Sequence, residues 1–299
     1  MHSFEGRVAV ITGAGRGIGR AYALLLASRG ARVVVNDLGG SIQGLGSDAG
    51  VAAGVAAEIA AAGGSAIPDQ NDVAAPSGAQ ALVAAAVDNF GRLDILINNA
   101  GIMRWAGLPD VDLENLERHL AVHVVGSFNT TRAAWPHMVE QGYGRIVMTT
   151  SSGIFGLPKN LSYATAKGGV IGLTRSIATT SQAHGIKINL IAPAAMTRMA
   201  GPNADPDDTS SPMAPGQVAP LMAFLAHEAC PVNGELYAAG AGRFARIFIA
   251  STPGYVATEA TVEDVADHWD EINREHGYVV PRDLPDWSTS FLAHLQSEK

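Results

Sequence analysis

The run Val8–Gly19, VAVITGAGRGIG, constrains the fold more than any other part of the chain. It reads as a buried strand, a glycine-rich turn and the start of a helix. A second β-branched run, Val33–Gly40 (VVVNDLGG), follows and carries an acid, Asp37. A nucleotide-binding β-α-β unit requires this order. Gly13 lets the chain leave the strand sharply, Gly17 leaves room for a pyrophosphate against the backbone, and Gly19 lets the helix lie close to the sheet. Free N–H groups at the helix start, with its partial positive charge, suit an anion. Arg16 and Ile18 stand between the glycines and complete the expected contacts. Asp37 is placed to accept hydrogen bonds from a ribose diol, so NAD is the expected cofactor. A structural turn with a solvated aspartate is the plainer alternative.

Strand-like runs recur along the chain: VAVIT, RVVVN, LDILIN, GRIVMTT, KINLIA and, more weakly, GELYAAG. Alanine-rich segments with helical spacing lie between them. Such alternation predicts an α/β fold, a doubly wound, mostly parallel Rossmann sheet with helices on both faces. The catalytic domain is expected over 1–245. Beyond it, 246–299 reads as a helical C-terminal extension in which Thr261 and Asp264 are spaced to cap a helix. Gly39–Gly50 is expected to be a mobile surface loop near the adenosine end. The polar break Asp205–Pro215 is either a plain loop or a substrate lid.

Bulk properties narrow the function. The 299 residues carry 20 basic and 28 acidic side chains, a formal net charge of −8, without a basic stripe. Nucleic acid and anionic membranes are therefore not expected partners. No apolar run approaches the ~20 residues that span a bilayer. The single cysteine, Cys230, excludes an intramolecular disulfide and reads as a small apolar residue in a reducing compartment. MHSFEGRVAV carries neither a basic leader nor a long apolar stretch, and the terminal SEK is not an S-K-L address, so a cytoplasmic location is expected.

The chemistry is expected in Thr149–Gly169, TTSSGIFGLPKNLSYATAKGG. Tyr163 and Lys167 are four apart on a predicted helix and share a face. A free tyrosine is a poor base at neutral pH, and an adjacent ammonium is expected to bring its pKa down. Ser151 follows a strand end and can hold a substrate carbonyl or alcohol oxygen. His119 and His123 have the spacing of a metal-ligand pair, but no third ligand accompanies them and no metal is expected.

TGAGRGIG, Asn98-Asn99-Ala100-Gly101 and Tyr163-Ala-Thr-Ala-Lys167 resemble the short-chain dehydrogenase/reductase family, with its TGxxxGxG, NNAG and YxxxK motifs. The likeness covers 6–245. RAYALLLASRGARVVVNDLGG, VHVVGSFNTTRAAWPHM and APLMAFLAHEACPVNGELYAAGAG resemble one branch in particular. These are the (3R)-hydroxyacyl-CoA dehydrogenases of peroxisomal multifunctional β-oxidation enzymes, also described as a type of 17β-hydroxysteroid dehydrogenase. No hydratase or sterol-carrier segment follows, so a stand-alone version is expected. The resemblance implies a catalytic set of Ser151, Tyr163 and Lys167. Strand register places the serine at Ser151, with Thr150 and Ser152 as alternatives. Lys167 and Tyr163 also hold ribose, and Asn98, Ala100 and Gly101 line the cofactor cleft.

Asp72-Val73 resembles the family's adenine contact, with a turn-capping aspartate as the alternative. The usual Pro-Gly after the sixth strand is Pro193-Ala194 here, and nicotinamide contacts there fall to Pro193 and Thr197. His123 stands where the wider family has an asparagine that supports a proton-relay water. An imidazole can titrate where an amide cannot.

The implied substrate is a lipophilic small molecule, a (3R)-hydroxyacyl-CoA or a hydroxysteroid. Ile154, Phe155, Leu157, Met196 and Met199 suit its apolar part, and Arg243 and Arg246 are cations available for CoA phosphates. A homodimer or homotetramer is implied, paired through the helix of Trp135 and the helix 163–181. Small residues there (Ala164, Ala166, Gly168, Gly169, Gly172) would admit a neighbour. A non-catalytic dinucleotide-binding scaffold or sensor is the reading from a different class.

Overall fold

The computed structural model describes residues 2–200 and 210–296. The chain divides into two compact units, Met1–Arg246 and Ile247–Lys299. The first is a strand–helix alternation: β1 (Val8–Thr12), α1 (Gly17–Ser28), β2 (Arg32–Asn36), α2 (Ala49–Ala61), β3 (Ser65–Asp69), α3 (Pro76–Phe90) and β4 (Ile95–Asn98). It continues through α4 (Leu113–His119), a π-helical turn (Leu120–Val125), α5 (Gly126–Gln141), β5 (Gly144–Thr149), α6 (Leu161–Ser181), β6 (Ile186–Pro193), α7 (Ala219–Ala226), β7 (Leu236–Gly240) and β8 (Arg243–Ile247).

The sheet order is β3-β2-β1-β4-β5-β6-β7-β8, and the pairs from β3 to β7 are parallel. Strands buried on both faces need unbroken apolar runs, and Val8–Ile11, Val33–Val35 and Ile95–Ile97 are all 0% exposed. Residues of α1, α2 and α7 join Ile11, Val33 and Ile97 in one core cluster. α3, α5 and α6 pack against strands through the alternate set of strand residues.

From β1 the order runs to β2 and β3 on one side and to β4 on the other. A crevice therefore opens above the carboxyl ends of β1 and β4, where open α/β sheets bind ligands. This pair is clamped at both ends. Asp94, fully buried, accepts from the Val8 N–H (3.0 Å) and from Arg7 and Arg92. At the other end the Thr12 hydroxyl donates to the Ile97 carbonyl (3.3 Å) and accepts from the N–H groups of Asn99 and Ala100 (3.0 Å each).

Two strands are absent from the sequence reading. β3, SAIPD, contains Pro68, which breaks the apolar pattern; an edge strand tolerates the missing donor. β8 follows β7 through Ala241 and Gly242, both at positive φ (49° and 72°). Such a two-residue turn joins an antiparallel hairpin. Cys230 is buried and free.

The described residues of the second unit form the short α-helices α8 (Val262–Asp267), α9 (Trp269–Ile272) and α10 (Leu284–Phe291) and a 3-10 turn, Ala293–Gln296. The expected cap at the first is present: Thr261 and Asp264 form a reciprocal capping box. Tyr255 stacks on His268 at 3.8 Å, and Ser251 bridges to Val279. Among the described residues no helix is long and apolar enough to cross a membrane.

Candidate active site

The nucleotide end of the crevice is built from main chain. Gly13 sits at φ +63°, where a Cβ would come within 2.8 Å of the Ala100 backbone, so only glycine fits. The Gly15 N–H donates to one oxygen of Asp37 (2.9 Å) and the Gly39 N–H to the other (2.7 Å). The carboxylate is thereby fixed with lone pairs to spare. α1 begins at Gly17, where an added Cβ would lie 3.6 Å from Thr197 Cγ2. Asn99 holds the turn from behind, its amide donating to the carbonyls of Thr12 and Gly13 (3.0 Å each).

These residues enclose a cavity of about 800 Å³. Its walls include the glycine turn, Asp37, Asp72, Val73, Ala100, Gly101, Ile102 and Thr197. Glycine vacancies, free helix-end N–H groups and a fixed diol acceptor form the donor and acceptor set that a dinucleotide needs, so the cleft fits the implied cofactor.

The chain between β2 and α2 departs from expectation. Instead of standing free it is bonded across the crevice. The Met103 N–H donates to the Ile42 carbonyl (2.7 Å), and Ser41, Ile42 and Gly44 line the cavity.

The reactive end is built from withdrawn side chains. Lys167 is 3% exposed, and its Nζ donates to the Thr149 carbonyl at 2.7 Å. Burial lowers its pKa to about 7. Tyr163 is one helical turn earlier, its ring centroid 5.5 Å from that Nζ. Burial raises the phenol's pKa, and a hydrogen bond with Ser151 opposes the rise. The ammonium was expected to bring the phenol down. Instead both groups are desolvated, each pushed toward its neutral form.

Ser151 also accepts from the Gly153 N–H (3.0 Å). Of the alternatives, Thr150 is buried and donates to the Lys167 carbonyl (2.9 Å), while Ser152 is exposed and opens a 3-10 turn. Ser151 is the hydroxyl that meets Tyr163.

His123 lies in the π-helical turn, a local widening that often marks functional positions. Its Nε2 lies 3.2 Å from the Ile102 nitrogen and 3.0 Å from the Ile102 oxygen, and its Nδ1 has no partner among the described residues. His119 donates from Nδ1 to the Asn115 carbonyl (2.8 Å) and accepts at Nε2 from the Arg104 N–H (3.3 Å). The rings stack at 5.9 Å, 8° from parallel, and Tyr163 stands edge-on to both. They form a floor under the phenol and do not converge on a common point. Burial, aided by Lys167, pushes the His123 pKa well below the ordinary imidazole value. Burial thereby favours the neutral form of the ring. Gly101 makes room for it, since a Cβ at 101 would sit 2.5 Å from the His123 Cε1.

Most of the anticipated cofactor residues line the cavity, whereas Ser151, Tyr163, Lys167 and His123 cluster outside its lining. Asn98 does not line the cavity. It ends β4 pointing the other way, donating to Thr131 Oγ1 (3.2 Å) and accepting from Thr130 Oγ1 (2.6 Å). The next residue, Asn99, faces the glycine turn. Pro193 ends β6 outside the cavity lining. Arg246 is engaged with Glu235 (2.8 Å). Residues 205–209 of the anticipated lid lie outside the described residues; Ala214 and Pro215 line the cavity. Sequence reasoning missed Gly15, Asn99, Thr12 and Arg118. The extra glycine within TGAGRGIG was the available signal for the first.

Comparison with known proteins follows the same outline. Residues 7–207 match the family model described as short chain dehydrogenase. The peroxisomal multifunctional enzyme type 2 of Mus musculus is 43% identical over 90% of this chain, which spans 37% of that protein's length. The crystal structure of a short chain dehydrogenase from Mycobacterium avium superposes with a TM-score of 0.78 at 34% identity, covering 90% of this chain and 94% of that one. A 7α-hydroxysteroid dehydrogenase complexed with NADH and 7-oxo glycochenodeoxycholic acid gives a TM-score of 0.71 at 29% identity, covering 80% and 95%.

Proposed function

The chain belongs to the short-chain dehydrogenase family, an oxidoreductase acting on a CH–OH group, and from that premise we propose an NAD-dependent dehydrogenase of (3R)-hydroxyacyl-CoA. The observation that carries the proposal is the meeting of Ser151, Tyr163 and Lys167 beside a cleft floored by the Gly13–Gly19 turn and Asp37. Gly13, Arg16, Gly17, Ile18, Gly19, Asp37, Asp72, Val73, Ala100, Gly101 and Thr197 would hold the cofactor, and Lys167 and Tyr163 its second ribose. A bound nicotinamide supplies the hydride acceptor.

The chain's residues do the rest. Ser151 holds the substrate oxygen. Tyr163 takes the hydroxyl proton during oxidation as the phenolate, and as the phenol, the form burial favours, it gives a proton to the carbonyl in the reverse direction. Lys167, half-charged near pH 7, takes up positive charge as the phenolate forms. His119 and His123, both neutral at that pH, fix the phenol ring and keep water from its inner face.

NAD is favoured over NADP because Asp37 meets the 2′-position with a negative charge. A lipophilic substrate is supported by exposed apolar side chains on the loops flanking Tyr163: Trp105, Leu108, Phe155, Leu157 and Met196. The chain's similarity to a multifunctional peroxisomal enzyme favours an acyl-CoA. The steroid-bound relative favours a hydroxysteroid as the second reading.

Homodimer or homotetramer formation through α5 and α6 belongs to the same proposal. Gly168 and Gly172 are open to a neighbour, whereas Ala166 is buried and Gly169 faces Val124 within the chain. A cytoplasmic setting is kept on the strength of the lone buried thiol. The test is NADH formation against a panel of (3R)- and (3S)-hydroxyacyl-CoAs and hydroxysteroids. Turnover confined to steroids would displace the acyl-CoA reading.

A further inference from the structure

The connection from β2 to α2 is a closed strap. Its neck is tied where the Asp48 N–H donates to the Leu38 carbonyl (3.0 Å). Within it, the Ser41 N–H donates to the Leu45 carbonyl (2.8 Å) and the Gly44 N–H to the Ser41 carbonyl (3.0 Å). β1 lies between β2 and β4 in the sheet. A segment that leaves β2 and bonds to the chain after β4 must therefore cross over the end of β1, above the glycine turn.

Both banks hold it by its carbonyls. On the near bank Arg16 Nη1 donates to Gly40 (3.3 Å). On the far bank the Met103 N–H donates to Ile42 (2.7 Å), Arg104 Nε to Gln43 (2.9 Å) and Arg118 Nη2 to Gly44 (3.2 Å). Gly40, Ser41, Ile42, Gly44 and Arg118 all line the cavity.

Two of the three far-bank bonds come from guanidinium groups. Loop carbonyls bonded to water would satisfy themselves equally well, so three ties to one bank mark a latch and not a filler. Arg104 is itself steadied by Glu114 (3.2 Å), and Arg118 projects from the last turn of α4, the helix that leads into the π-helical turn of His123.

We infer that Arg118 and Arg104 are positioning residues that latch the strap 38–48 over the nucleotide end of the cleft, and so govern how fast a dinucleotide enters and leaves. This rests on the reading of the cleft as a dinucleotide site. The strap crosses over the nucleotide end of the cleft, so it must open for passage in either direction. Its loss therefore speeds association and dissociation together and leaves the affinity nearly unchanged. A side chain that touched the ligand directly would behave otherwise, raising dissociation and Kd in parallel.

The test is stopped-flow fluorescence of NADH with wild type, Arg118→Ala, Arg104→Ala/Arg118→Ala and Arg118→Lys. Arg118→Ala should raise both rate constants about tenfold, the scale of one charge-assisted hydrogen bond, with Kd within about threefold. The double variant should go further, and Arg118→Lys, which keeps a donor, should return most of the way. Gly44→Ala is a second probe that removes no charge. Gly44 is at φ +78°, and a Cβ there would lie 2.9 Å from Ile102 Cγ2, so the methyl lifts the strap from the far bank and should give the same paired acceleration. Rates within twofold of wild type in the double variant and in Gly44→Ala would overturn the latch. So would a dissociation rate and Kd that rise together. Absence of NADH binding by the wild type would overturn the cofactor reading and the latch with it.

Discussion

The two ends of the crevice are made from different materials. At the nucleotide end the working groups are main-chain amides, glycine vacancies and one carboxylate held by two N–H donors. At the reactive end they are side chains taken out of water: a 3%-exposed lysine, a neutral imidazole and a phenol whose pKa burial raises. The first kind of site works by shape and is nearly indifferent to pH. The second works by charge states that exist only because the fold withholds solvent. Damage to one end should therefore register as binding, and damage to the other as turnover and pH dependence.

The largest expected effect falls wholly on the reactive end. Tyr163→Phe should lower kcat by ~10²–10⁴, the range for a general acid–base group, while NADH affinity stays within a few-fold. Retention of more than about a tenth of kcat would remove Tyr163 from the role.

Lys167→Met crosses the boundary, because on the proposed reading one side chain serves phenol and ribose alike. It should abolish useful turnover and weaken NADH binding. It should also alter stability with a defined pH trend. The lysine's folded pKa, about 7, lies below its ordinary value of 10.5. Below pH 7 it is charged in both folded and unfolded chains, and the burial cost is carried in full. Between 7 and 10.5 the unfolded chain binds more protons, so wild-type stability rises with pH. The difference in Tm between variant and wild type, measured from pH 6 to 10, should move steadily in the wild type's favour. A flat difference would show that the lysine is not held near neutrality.

Asp37→Ala tests the nucleotide end. The ratio of kcat/KM for NAD over NADP should shrink about tenfold, the scale of one lost charge repulsion, with kcat for NAD little changed. A ratio that stayed the same would assign cofactor choice elsewhere.

The smallest effect sharpens the contrast most. His123→Asn should alter kcat by no more than about threefold, since a neutral ring contributes packing and no proton within the working range. The pH–rate profile should keep its shape above pH 7, where burial holds the ring neutral. Loss of an inflection in that window would mean that the imidazole does titrate.

The same contrast explains what the amino-acid order disclosed. The glycine turn, Asp37 and the Tyr163–Lys167 pair were legible because each is a local spacing on one element. Asn98 was misread because the phase of a strand's last residue decides which face it takes, and spacing alone does not fix that phase. The strap was read as a free loop because its ties are carbonyl oxygens, which every residue owns. The sign of the tyrosine's shift was missed because it depends on how much water reaches both groups, a property of tertiary packing. β3 was hidden by Pro68, and β8 by its exposed, alternating character at the sheet edge.

One contact has a consequence for how this site can change over generations. Gly101 presses against the ring of His123 so closely that no side chain fits between them. The two positions therefore have a permitted order of substitution. Replacing the imidazole by a smaller amide first opens space in which alanine at 101 becomes neutral. Taking alanine first passes through an intermediate that must displace a ring locked to the Ile102 backbone. His123→Asn followed by Gly101→Ala should thus be a passable route and the reverse a blocked one, and a lineage carrying the histidine is tied to the glycine for as long as it keeps it.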